Sequence, residues 1–369
     1  MEGSQMNEKF DLAVIGGGPA GTSAAITAAR LGFHVLLLEA GSFPRHKVCG
    51  EFVSGEALSI LGELVGEEQF ADAPRISKAR VFIDHARATL PVNPPAASVS
   101  RYSLDAALYH ASALAGCMVR ERTRVHSADP SQNGFVIRLE SEEILARAVI
   151  NATGRWSNLA RRTVSGTEQF IGVKGHFFEA DCSESCDLYF FDDGYCGVQP
   201  MGNGQMNVAA MVKPSVATNL PSVFALNRDL KERSRTWKAV ADPVSTAPLI
   251  FRSPVTWENG VLMAGDAAAF LDPFAGDGIS IALHSGRMAA EALGRFLLAN
   301  CRLQDALLHY DREYRRLIKP ALNSAQRLRA LQHLPSGLRT ASVACLNIPL
   351  LARAAVKATR VRATSRRTA

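Results

Sequence analysis

The sequence predicts an α/β fold: a Rossmann-type nucleotide-binding domain, an inserted antiparallel β-sheet domain and a helical C-terminal cap. Three observations predict it. Near the N-terminus an apolar run, FDLAVI at 10–15, leads straight into GGGPAG at 16–21 and an alanine-rich helical stretch to Arg30; this is the strand–turn–helix order of a parallel βαβ unit. Between Gly154 and Gly260 the pattern changes to short strand-like runs, FIGVKGHFFEA, DLYFFDD, YCGVQPM and QMNVAAMV. Asp193-Gly194 and Gly202-Asn203-Gly204 separate them as turn signals. From Asp305 onward the chain reads as mostly helical and basic. The expected boundaries are 1–165 and 255–300 for the nucleotide domain, with small inserted strands at about 76–100, then 166–254 for the sheet domain and 301–369 for the basic region.

Bulk properties bound the function. At 369 residues, with 47% apolar and 21% charged residues, the chain fits a globular protein with ample core. MEGSQMNEK lacks an apolar h-region, so a secretory signal is not expected. Seven irregularly spaced cysteines do not make a disulfide framework, which points to a reducing, cytoplasmic setting. Charge is uneven: twelve Lys/Arg and no Asp/Glu follow from Arg315 on, leaving the remainder near −6 against a net +6. Such a tail suits either a solvated terminus or an anionic surface. No nucleic-acid module accompanies it, and nucleic acid is not an expected partner. The least charged stretch, 340–352, is too short to span a bilayer. It suits peripheral membrane contact, followed as it is by Arg353, Lys357, Arg360 and Arg362.

The glycine loop has a defined chemistry. Gly16 permits a tight turn, Gly18 lets the backbone approach a pyrophosphate, and Gly21 lets the helix pack close to the strand. Pro19 and Ala20 open that helix, whose free N–H groups and positive dipole hold the anion. HVLLLEA then brings Glu39, followed by Ala40, to the position where an acid accepts from both hydroxyls of an adenosine ribose. A second element, GVLMAGDAAAFLDPFAGDGISIALHSGRMAAEAL at 260–293, reads as a strand, a Gly265-Asp266 turn, a loop entered at Pro273 and a long helix. Asp266 can accept from sugar-alcohol hydroxyls. Gly276, Asp277, Gly278 and Ile279 open a helix N-terminus that suits an anionic ring.

With these residues the sequence resembles the FAD-dependent oxidoreductases of the para-hydroxybenzoate hydroxylase superfamily, and within it the geranylgeranyl reductase-like branch. The resemblance implies a GR2-like FAD-binding domain in which GGGPAG and Glu39 take the ADP half, Asp266 the ribityl chain, and 276–279 the ring. RYSLDAALYHAS, from Arg101, is similar to the family's arginine element near the cofactor, RTRVHS puts Val125 at the adenine, and VINATGRWS with Gly154 resembles the segment closing the FAD domain. The hairpin GYCGVQPMGNGQMNVAAMV resembles the family's substrate-pocket hairpin, with Gly197 and Gln199 in place of two aromatics. Phe190, Tyr195, Gln199 and Pro200 are the expected pocket residues for an apolar small molecule. Ala152-Thr153-Gly154 departs from the hydroxylase Asp-Gly motif, and no Trp-x-Trp-x-x-Pro accompanies Trp156, Trp237 and Trp257, so halogenation is not expected.

FPRHKVCGEF at 43–52 carries the family's Lys-x-Cys-Gly element, Lys47 to Gly50, which the resemblance puts at the flavin ring. Cys49 beside Arg45, His46 and Lys47 suits a proton relay or a small residue against the ring; Arg45 or Lys47 suits a phosphate contact. No cysteine partner lies nearby, so flavin–disulfide chemistry is not expected. Cys182, Cys186, Cys196 and His176 lack metal-site spacing, and no metal is expected. One nucleotide fold implies that electrons arrive transiently, from NAD(P)H or a partner reductase. The Lys-x-Cys-Gly resemblance favours geranylgeranyl reductase-like reduction of a double bond by reduced flavin. The alternatives are oxygen-dependent hydroxylation or epoxidation of an aromatic, polyketide-like or isoprenoid substrate, and a flavin-bound scaffold without turnover at a membrane surface.

Overall fold

The computed structural model describes residues 9–155, 159, 169–180, 183–270 and 272–361; Trp156, Ser157, Cys182, Leu271 and Arg362 lie outside the described residues. Among these, the strands form two sheets. In the eight-stranded one the parallel centre runs Val261–Met263, Glu143–Asn151, Lys9–Ile15, Val35–Leu38 and Met118–Arg120 in spatial order. Both faces are covered, which is why the middle of each strand is dominated by apolar residues. Leu12 and Val14 pack with the helices Pro19–Arg30 and Gly278–Leu297. Ala13 and Ile15 meet the hairpin residues Phe135 and Ile137 on the other face.

Small residues bring the backbones together. A Cβ on Gly21 would lie 1.8 Å from the Gly16 carbonyl oxygen, and one on Gly286 would lie 2.0 Å from the Ala20 carbonyl oxygen. The first strand, the loop helix and the helix Gly278–Leu297 are thereby locked as one block that fixes both helix N-termini.

The nine-stranded sheet runs Lys238–Ala239, Phe170–Phe178, Gln205–Val212, Gly194–Gly202, Ser185–Phe191, Arg75–Ile83, Ala86–Ser98 and Phe52–Val53, with Val244–Leu249 paired to Phe170–Phe178. The two turn signals fall where expected, Asp193 and Asn203 taking φ of 61° and 53°. One expectation is corrected: the strands near 76–100 are not a small insertion in the nucleotide domain. Arg75–Ile83 pairs in parallel with Ser185–Phe191 and extends the second sheet. The partners are some hundred residues apart, and periodicity along the chain carries no record of such pairing. One face of this sheet buries Phe177 and Tyr189 against the helices Leu220–Phe224 and Arg228–Arg233. Phe190, Tyr195 and Met211 lie on the other.

Downstream, Leu303–Leu317 and Lys319–Ala330 pack on the nucleotide domain, Tyr310 donating to the Met263 carbonyl at 2.8 Å. Ser336–Cys345 and Pro349–Ala358 return over the second sheet through Val343 and Ala352.

Inside the helix Gly278–Leu297, the His284 Nε2 is buried without a hydrogen-bond partner among the described residues. Burial and the neighbouring Arg287 push its pKa down to about 4. The unfolded chain therefore takes up a proton that the folded one refuses between pH about 6.5 and about 4, and stability falls as pH drops through that window. His284→Leu should remove up to about 3 kcal/mol of that acid sensitivity, read from urea unfolding midpoints at pH 7 and 4.5.

Candidate active site

A cavity of about 820 Å³ runs between the two sheets, within the size range of small-molecule sites. Its polar end is the glycine loop. Gly16, Gly18, Pro19 and Ala20 line it, whereas Gly21 lies beneath and serves packing alone. Gly16 takes φ +107°, where a Cβ would strike the Ala152 carbonyl oxygen at 2.4 Å; only glycine fits that turn.

Glu39 is held rigid beside the loop. Its Oε2 accepts from the Gly17 N–H at 2.8 Å, and its Oε1 accepts from the Gly41 N–H at 2.7 Å and from Arg45 at 2.8 Å. Burial pushes this carboxyl up, but the Gly41 and Gly17 N–H groups and Arg45 outweigh it and hold it below the usual carboxylate range. Of the two cations expected at phosphate, Arg45 is thus engaged by Glu39. The Lys47 Nζ lies 4.0 Å from where a Gly18 Cβ would be, above the loop. Burial and the nearby Arg101 depress the Lys47 ammonium, against Asp105. Ala40, Val125, Thr123 and Arg124 wall this end.

The middle is backbone-lined. Gly50, Gly154 and Gly278 face the cavity, and a Cβ at any of them meets no atom within 4 Å. Gly265, Pro273, Gly276 and Ile279 complete that wall. Asp266 faces it too, its carboxyl pushed up by burial and opposed by Arg155 and Arg101. Asp277 is corrected: its carboxylate turns away from the cavity, accepting from Ser54 Oγ and the Val361 N–H, each at 2.8 Å. Burial raises its pKa to about 6. This carboxylate anchors the C-terminal segment.

Cys49 lines the cavity on a loop clamped from below. Asn207 Nδ2 donates to the Cys49 and Gly50 carbonyls at 3.1 and 2.8 Å, and the Glu51 N–H donates to Cys49 Sγ at 3.3 Å. Glu51, fully buried at φ 58°, belongs to the site although no sequence motif marks it. Its Oε1 accepts from the Arg101 N–H at 2.7 Å and from Lys174 Nζ, and its Oε2 pairs with His176 Nε2 at 2.8 Å. Burial would raise the Glu51 pKa, yet His176 and Lys174 lower it overall. Lys174 and His176 sit at alternate positions of one strand, Phe170–Phe178. A lysine buried in an apolar strand was the available signal, because such a charge needs a partner. Arg101 clamps Asp105 with both Nε and NH2, each at 2.7 Å; burial depresses this guanidinium but Asp105 outweighs it, keeping it above its ordinary range.

The far end is apolar. Phe190 and Tyr195 stand 5.7 Å apart with Phe274 edge-on to both, and Val81, Ile83 and Leu90 continue the wall. Gln199 lines it while donating to Ser98 Oγ at 2.9 Å. Pro200 is corrected: it pairs with Met206 in the strand and lies outside the cavity lining. His176 is committed to Glu51, and Cys196 is wholly buried with its thiol pushed up by burial. Burial likewise pushes the Cys186 thiol up to about 12.

These residues fit FAD: an anion seat on the loop helix, a ribose acceptor in Glu39, and an open backbone-lined slot beside Asp266. Fold and site define a flavin-dependent oxidoreductase. The match to the FAD binding domain family model covers residues 9–325, and the chain belongs to that family, in the geranylgeranyl reductase-like branch of the para-hydroxybenzoate hydroxylase superfamily. It is 31% identical to digeranylgeranylglycerophospholipid reductase 2 of Methanothermobacter thermautotrophicus over 325 residues, 78% of this chain and 81% of that protein. It is 29% identical to menaquinone reductase of Mycobacterium tuberculosis, over 78% of this chain and 77% of that protein. In fold it is similar to a geranylgeranyl bacteriochlorophyll reductase-like protein of Thermoplasma acidophilum (TM-score 0.79, 21% identity, 95% and 96% covered). It is also similar in fold to the flavin-dependent brominase Bmp2 (TM-score 0.82, 19% identity, 95% and 93% covered).

Two outcomes test the site. Gly278→Leu should leave the thermal melt of apoprotein unchanged while weakening FAD binding by about tenfold or more, since the slot is filled rather than the core; fluorescence titration reads it. Glu51→Gln should cost roughly 3–5 kcal/mol in urea unfolding, because it strands a buried lysine, and the double variant with Lys174→Met should recover a large part.

Proposed function

We propose that the protein is an FAD-dependent reductase of carbon–carbon double bonds in an isoprenoid lipid. The observation that carries this reading is the continuity of one cavity, from the glycine loop past the open backbone slot to an end walled by Phe190, Tyr195, Phe274, Val81, Ile83 and Leu90. An extended apolar chain suits that end, and fixed aromatic walls orient it at low entropic cost. The relatives named for reducing a digeranylgeranylglycerophospholipid and menaquinone support a lipophilic substrate.

Bound FAD, when reduced, supplies hydride-transfer chemistry. The chain's own residues do the rest. The loop carrying Cys49 is held against the second sheet by Asn207 and Glu51. Cys49 Sγ, accepting from the Glu51 N–H, is oriented at the cavity wall, where its thiol holds the proton that the second alkene carbon requires. The apolar walls exclude water from that transfer. Electrons reach the flavin from NAD(P)H or a partner reductase that docks transiently, as the single glycine-loop unit supports.

The test is anaerobic: protein reduced chemically or by NAD(P)H is mixed with a geranylgeranyl lipid and the products are weighed by mass spectrometry. Gain of two hydrogens per double bond is expected. Cys49→Ala should slow that step by about a hundredfold while FAD content and flavin reduction stay unchanged. A hydroxylated product formed only with oxygen would overturn the reductase reading, and flavin that no donor reduces would overturn turnover altogether.

A further inference from the structure

We propose that the C-terminal helix pair Ser336–Cys345 and Pro349–Ala358 docks on an anionic lipid bilayer and forms the wall through which an apolar chain passes between bilayer and cavity. The two faces of the pair carry the argument. On the inner side Val343, Leu346 and Val356 line the main cavity. On the outer side Leu338, Ile348 and Leu350 stand 57%, 51% and 76% exposed, with Leu351 beside them. Large aliphatic side chains on both sides of one thin layer are unusual for a surface facing only water.

Charge identifies the partner. Arg353 and Lys357, one helical turn apart, are exposed and have no ion-pair partner among the described residues. No acidic residue occurs from Arg315 to the C-terminus. Exposed leucines flanked by unpaired cations match an acyl boundary beneath anionic headgroups.

Geometry fixes the mode of contact. Among the described residues no single helix is long and apolar enough to cross a membrane, and this pair bends by 100° at its break. Each arm of ten residues spans about 15 Å, half the hydrocarbon thickness, so the pair lies in the interface. Its root is fastened: Arg339 pairs with Asp84 at 2.8 Å and Asp192 at 2.7 Å, and Asn347 donates to the Arg87 carbonyl at 3.1 Å. At the break, Ile348 faces outward while Leu346 keeps to the cavity wall.

The docking surface stands independently; only the passage role rests on the lipid-substrate reading. The experiment co-sediments the FAD-loaded protein with phosphatidylcholine vesicles, with and without phosphatidylglycerol. Wild type should bind the anionic vesicles. Ile348→Asp/Leu350→Asp, at positions outside the cavity lining, should lose about tenfold or more of that binding, with FAD content and thermal melt unchanged. Arg353→Glu/Lys357→Glu should lose about fivefold per reversed charge, on anionic vesicles alone. Wild type that stays in the supernatant, or an Ile348/Leu350 variant that binds as wild type does, would overturn the proposal. So would a dimer that the apolar variant dissociates while vesicle binding persists. Failure of the substrate reading shows separately: detergent-dispersed lipid would go unreduced by wild type however well it binds vesicles. If both readings stand, the variant reduces dispersed lipid normally but loses kcat/KM on vesicle-embedded lipid.

Discussion

A buried carboxylate holds the architecture together. Glu51 has no exposed surface, yet it gathers the Arg101 N–H from the nucleotide domain and Lys174 and His176 from the second sheet. Without it Lys174 Nζ would keep only the Lys47 carbonyl at 3.4 Å, and a buried lysine without a counter-charge costs several kcal/mol. Glu51 thus ties the two sheets together, alongside the Asn207 bonds to the Cys49 and Gly50 carbonyls. The loop that bears Cys49 sits directly on that joint, so the position of its thiol follows from how the two domains meet.

The cofactor end obeys a different constraint, the closeness of backbones. Glycine at 21 and 286 and alanine at 20 let a strand and two helices meet at distances no larger residue tolerates. Their N-termini then supply N–H groups and positive potential at the loop, and Glu39, held by Gly17, Gly41 and Arg45 with acceptor capacity to spare, stays ionised beside it. Electrostatics here is preorganised before any ligand arrives, so little reorganisation accompanies binding.

At the opposite end the wall is made by segments from four regions: strands near 75–98, the hairpin of Tyr195, the loop of Phe274 and the C-terminal helices. An enclosure assembled from parts so distant in sequence depends on the whole fold. The anchors of the last part are long-range, Arg339 to Asp84 and Asp277 to the Val361 N–H.

The sequence by itself determined the glycine loop, Glu39, the Gly265-Asp266 turn and the helix opening at Gly278, because each depends on backbone conformation within a few neighbouring residues. It also determined the hairpin turns of the second sheet at Asp193-Gly194 and Gly202-Asn203-Gly204. Tertiary structure alone decided which strands join: Arg75–Ile83 belongs with Ser185–Phe191, a parallel pairing with no local signature. It decided that Arg45 serves Glu39, that Asp277 turns inward and that Pro200 leaves the cavity, since side-chain direction at a loop or sheet edge is set by what packs against it. Above all it decided the role of Glu51. A glutamate after Cys-Gly is ordinary in sequence; its meaning comes from Lys174 and His176, more than a hundred residues on, which strand register brings to the same buried point.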